Sequence, residues 1–158
     1  VWVNHEYFVC PADRLVWTPV LLKNNADFGT TGMSMCHAQY SFANDGGAIA
    51  TIIPLNNCTI PINSIVYNAS IQATTAATSG GSATVAVGLN GIGSGTAVLL
   101  GATAVASVTG QLQSAIVPQT ASGWKKMTSA GNVTITVAVA ALTAGIIEVY
   151  VFFLTSST

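Results

Sequence analysis

The chain has 158 residues, of which 6% are charged and 51% hydrophobic, with a formal net charge of -1. That length fits one domain able to bury about two-thirds of its unfolded surface, and an apolar, charge-poor composition excludes intrinsic disorder. The near-neutral balance leaves no electrostatic footprint for nucleic-acid phosphates or anionic lipid, so neither a nucleic acid nor a membrane is expected as a partner.

Residues 1–35 read as an extended N-terminal arm. They hold Trp2, Tyr7, Phe8, Trp17 and Phe28 in a poorly periodic mixture, and most of the chain's charged side chains fall within the first 45 residues. Aromatic side chains offer large contact area at low entropic cost, so these five are the expected partner-binding residues of the arm. The chain opens on Val1 without a basic and apolar signal sequence, which suggests processing at the N-terminus or numbering from within a longer product.

Residues 36–158 read as a body of β-strands. "AQYSFA" (38–43) alternates, "NDGG" (44–47) supplies turn residues, and "AIATII" (48–53) follows, which together predict a hairpin. "SIVYNASIQA" (64–73) predicts a half-buried strand, with Ile65, Tyr67, Ala69 and Ile71 on one face and Val66, Asn68, Ser70 and Gln72 on the other. "TSGGS" is a turn, "ATVAVGL" a strand, "NGIGSG" a glycine-rich connection and "TAVLLGATAV" another strand. "QLQSAIV" follows the "SVTG" turn, and "PQTASGWKKMTSAGN" (118–132) is the longest polar connection. "VTITVAVAAL", "TAG" and "IIEVYVFFL" predict a terminal hairpin. Short strands at this spacing with no capped amphipathic helix give an all-β class: an antiparallel β-sandwich or jelly roll behind an extended N-terminal arm.

Chemistry is sparse. His5 and His37 are the only histidines, and on a strand Cys36 and His37 point to opposite faces, which argues against a dyad. The carboxylates are scattered, and Asp45 in "ANDGGA" reads as a turn residue bonding local backbone. Gly91, Gly93 and Gly95 lack the βαβ setting of a nucleotide site. No catalytic residue, metal site or cofactor is assigned, and no enzyme is expected. Cys10, Cys36 and Cys58 form no C-x-x-C pair and read as buried free thiols. One disulfide, Cys10 to Cys58 or Cys36 to Cys58, is the alternative.

"GIIEVYVFFL" (145–154) is interrupted by Glu148 and falls well short of the roughly 20 apolar residues a spanning helix needs. Sequons occur at Asn57, Asn68 and Asn132, as chance would produce in a chain so rich in Ser, Thr and Asn. Trp124 beside Lys125 and Lys126 is a candidate glycan contact, or an anchor for its long loop. Small, uncharged residues in the body suit burial against copies of the same chain, because smooth neutral strands aggregate when left open.

The succession "YSFANDGGAIATI", "TIPINSIVYNASIQATTAATSGGSATVAVGLNG" and "ALTAGIIEVYVFFL", over residues 38–154, resembles a family of small structural proteins of tailed bacteriophages whose β-rich body decorates or cements the capsid. The resemblance implies a non-enzymatic virion protein on the outer capsid surface. Its implied partners are the major capsid protein and copies of itself, as a homotrimer or a dimer. The arm departs from the pattern. Two other readings share the composition: a secreted pilin or adhesin subunit that polymerises by strand donation, and a glycan-binding tail or spike module using Trp124.

Overall fold

The computed structural model describes residues 32–93, 95–113 and 123–155. The described residues form nine strands: β1 (Met33–Ser41), β2 (Thr51–Ile60), β3 (Ile65–Ser79), β4 (Thr84–Leu89), β5 (Leu100–Ala104), β6 (Gly110–Gln113), β7 (Lys125–Lys126), β8 (Gly131–Ala138) and β9 (Leu142–Leu154). The only α-helix among the described residues is the single turn α1 (Phe42–Asp45). None is long and apolar enough to cross a membrane.

Two antiparallel sheets form a sandwich. One is five-stranded, in the order β1-β9-β3-β6, with β7 also pairing β3; the other runs β2-β8-β4-β5. The inward side chains are β-branched or small, as a pleated, half-buried surface favours. Val85, Val87, Val133, Ile135 and Val137 from the four-stranded sheet are fully buried, as are Ile71, Ile147, Val149 and Val151 from the other. Each such side chain contributes about 1.5–3 kcal/mol when taken out of water.

Both predicted hairpins turn out to be corners between the sheets. β1 pairs with β9, and β2 pairs with β8, so the "NDGG" turn carries the chain from one sheet to the other. The reason is local. The Asp45 carboxylate accepts from the Ser41 N–H at 2.8 Å, closing a helical turn where a hairpin would continue the ladder. The Tyr40 hydroxyl donates to the Gly46 carbonyl at 2.6 Å, and Gly46 has φ 70, a conformation that favours glycine. Likewise β8 and β9 lie in different sheets. The bend falls at Val139 (φ 71) and Ala140, while "TAG" continues as strand inside β9. There Gly145, at φ 139, lies against Ala77, whose Cα would be 2.9 Å from an added Cβ.

The predicted alternation of β3 is half right. A register shift between Val66 and Asn68 swaps faces, so that Val66 is buried and then Ala69, Ile71 and Ala73. A bulge adds one residue to one strand, and a period-of-two reading carries no sign of it.

Cys36 and Cys58 form a disulfide, with Cα atoms 5.5 Å apart. This corrects the expectation of free thiols and selects one of the two alternative pairings. β1 and β2 are edge strands of opposite sheets, so the bond staples the sandwich along one side.

The glycine-rich connection folds back on β4. Leu89 N–H donates to the Gly95 carbonyl at 2.7 Å, and a Cβ on Gly88 would meet that same oxygen at 2.0 Å. Close backbone approach explains a glycine there; no helix follows to bind a phosphate.

Candidate functional site

The outward face of the five-stranded sheet carries nearly all the chemical individuality of the described body. Lys125, Lys126 and Glu148 lie on its strands, and Asp45 sits at its corner; no charged residue occurs on the four-stranded sheet.

Register places the outward residues in rows across the strands. Gln39 stands opposite Glu148, which stands opposite Gln72. His37 stands opposite Tyr150, and Tyr150 opposite Ser70. Glu148, which the sequence leaves alone on an apolar strand, is 8% exposed and bonded twice. The His37 ring (Nε2) pairs with one carboxylate oxygen. The Gln39 amide donates to the other at 2.6 Å. The Tyr150 ring stacks on the His37 ring with centroids 4.6 Å apart. Cys36 and His37 point to opposite faces, one into the disulfide and one outward.

A histidine held by a carboxylate suggests a general base, which acts only on a nucleophile within hydrogen-bond reach. The serine in its row, Ser70, lies two strand spacings away, about 10 Å, with Tyr150 between them. Within this row of the described residues the cluster therefore orders the sheet face, and Ser70 lies out of reach of the His37 ring. Among the described residues, no group of three His, Cys, Asp or Glu side chains could hold a metal ion.

One end of the same face is apolar. Met33 is 74% exposed, Met35 58% and Trp124 46%. Met33, Leu154 and Ile65 form one row, continued by Lys126, which pairs Ile65. Met35 and Phe152 form the next. The Tyr67 hydroxyl lies 3.4 Å from the Met33 sulfur. Trp124 directly precedes Lys125, which pairs with Val66, so β7 brings the candidate Trp124, Lys125 and Lys126 beside β3. The sequence does not predict a strand in that polar connection; two lysines carry no strand signal. The arm residues Trp2, Tyr7, Phe8, Trp17 and Phe28 lie outside the described residues.

Two shallow grooves lie among the described residues. One, of about 500 Å³, is lined by small residues including Ala77, Gly81, Ala83 and Ala104 with the hydroxyls of Thr78, Ser79 and Ser82, and by no histidine or charged side chain. The other, of about 280 Å³, lies between the β1 and β2 edges and is lined by polar residues including Gln39, Asn44, Asp45, Asn56 and Asn57.

No family model matches the sequence, and no curated protein sequence matches it. Solved structures do share the fold. A chain of the acid-stable capsid of Helicobacter pylori bacteriophage KHP30 is 16% identical, with a TM-score of 0.56, covering 79% of this chain and 89% of that one. A chain of the cyanophage Pam1 capsid is 16% identical, with a TM-score of 0.58, covering 80% of this chain and 87% of that one. A chain of the capsid of Ralstonia phage GP4 is 19% identical, with a TM-score of 0.56, covering 80% and 86%. At these identities the likeness is one of fold.

Proposed function

We propose that the chain is a non-enzymatic virion structural protein that decorates and stabilises a phage capsid, binding the major capsid protein and associating with copies of itself on the outer surface. The observation that carries this reading is the sandwich shared, over about four-fifths of this chain, with chains in three phage capsid structures. The chemistry of the body agrees with it. A sheet without charged residues suits a close-packed symmetric interface, and obligate interfaces are more apolar than free surfaces. In this reading the arm, through Trp2, Tyr7, Phe8, Trp17 and Phe28, reaches the shell, and the body forms a homotrimer or dimer.

Native mass spectrometry and co-sedimentation with undecorated capsids test it together. The full chain should give a closed trimer or dimer and bind the capsid saturably. Replacing Trp2, Tyr7 and Phe8 with Ser should abolish binding and leave the oligomer intact. A full chain that ignores the capsid refutes the proposal.

The Cys36–Cys58 disulfide favours one second reading, a secreted pilin or adhesin subunit. Open-ended polymers in the same mass spectra would bring it forward.

A further inference from the structure

We propose that the apolar end of the five-stranded sheet's outward face is covered by the chain's own N-terminal segment, with Phe28 seated among Met33, Met35, Tyr67 and Phe152. The described body leaves Met33 and Met35 more than half exposed, side by side on an edge strand, with Trp124 at the far side of the same face. Exposed apolar side chains gathered at one end of a sheet mark an interaction surface.

The position of the preceding chain selects the occupant. Residues 1–31 precede Gly32, whose carbonyl accepts from the Thr155 N–H at 3.4 Å, so the segment departs from the rim of this patch. "GTTG" (29–32) places two turn-forming glycines at that departure. From β1 across β9 and β3 to β7 is three strand spacings, about 14 Å. Phe28 is five residues from Met33, a reach of about 17 Å when extended. A turn at those glycines shortens that reach, which still covers Met33, Met35 and Phe152 on the two strands nearest the departure and the Tyr67 hydroxyl beside the Met33 sulfur. Charge agrees as well: Asp27 adjoins Phe28, and Lys126 borders the patch beside Ile65. The tether holds the segment beside its seat at high effective concentration, which favours the same chain over a second copy. Phe28 then serves the body, and contacts with a shell fall to Trp2, Tyr7, Phe8 and Trp17.

The three methionines make the test self-contained: Met33 and Met35 lie on the patch, and Met127 is fully buried. The isolated full chain is treated with hydrogen peroxide, and sulfoxide formation is read peptide by peptide. Met33 and Met35 should oxidise about tenfold more slowly than methionine in an unstructured peptide. Phe28→Ser in the full chain should raise both rates towards the peptide value and leave Met127 slow, which also reports that the variant is folded. Wild-type rates at Met33 and Met35 equal to the peptide's overturn the proposal, whether or not any variant folds. Protection that survives Phe28→Ser overturns it too. So does protection that disappears on dilution from oligomer to monomer, which assigns the cover to a second copy. No capsid enters the measurement, so its failure leaves the decoration reading untouched.

Discussion

The two sheets of the sandwich share an inner chemistry and differ completely on the outside. Inward, both present Val, Ile, Leu and Ala. Outward, the four-stranded sheet shows mostly Thr, Asn, Ala and Gly, with Ile52 and Pro54 exposed on its β2 edge and no charge or aromatic ring, whereas the five-stranded sheet carries His37, Glu148, Gln39, Tyr150, Tyr67 and Met33. The difference separates two tasks. An uncharged, small-residue face can pack on many surfaces at low desolvation cost, while a face with fixed donors, acceptors and rings can discriminate among partners.

The largest expected effect lies where the sheets are alike. Ile135→Ala empties a fully buried position on β8, the central strand whose neighbours are β2 and β4, and should cost about 2–5 kcal/mol in denaturant unfolding. Val149→Ala on β9 should cost a comparable, smaller amount, because it deletes fewer atoms from an equally buried site. A loss confined to one variant would show that the two sheets do not unfold as one cooperative unit.

Next comes the staple that joins the two sheets. A cross-link between residues 22 apart restricts the unfolded chain, and its removal in Cys36→Ser, or its reduction, should cost about 3 kcal/mol. Unfolding with and without reductant reads this directly, and no difference would refute a closed bond in solution.

Smaller effects belong to the outward cluster. His37→Ala should cost about 1 kcal/mol, because it leaves the nearly buried Glu148 carboxylate with Gln39 and removes the ring stacked on Tyr150. Thr134→Val on the other sheet should cost less or stabilise, since that buried hydroxyl has no protein partner among the described residues. Finding the two equal would remove the energetic contrast between the faces.

The last effect is read against pH, in Tyr40→Phe. Burial, and secondarily the nearby Asp45 carboxylate, pushes the Tyr40 hydroxyl up from 10.0 to about 12. The folded state then holds this proton more tightly than the unfolded state does. Its stabilising share is intact below pH 10.0 and is lost as the pH rises towards about 12. Denaturation midpoints across that window should fall for the wild type and fall less steeply for Tyr40→Phe.

Strand identities were legible in the sequence because inward and outward residues alternate: of the series Val133, Ile135, Val137 and Val139, the first three point inward as predicted, while Val139 falls at the bend after β8 and is 68% exposed. Which strand pairs with which was not. A turn sequence such as "NDGG" allows a hairpin and a corner alike, and the local bonds from Ser41 to Asp45 and from Tyr40 to Gly46 that choose the corner have no signature in the turn residues themselves. The outward cluster was hidden for a related reason. His37 and Glu148 are 111 positions apart, and nothing near either residue names the other. Trp124, Lys125 and Lys126 were visible as an aromatic beside two cations, but their place against β3 depends on a two-residue strand too short to leave a periodic signal.

The pairing of β1 with β9 also imposes an order on biosynthesis. β9 lies between β1 and β3 and hydrogen-bonds to both, so the five-stranded sheet has no centre until residues 142–154 have left the ribosome. Until then β1 and β3 present unpaired edges, and the corner connections offer them no neighbouring hairpin as a temporary partner. The five-stranded sheet therefore closes in a late step that joins the first and ninth strands, and a nascent chain stalled before Leu142 lacks the strand that links β1 to β3.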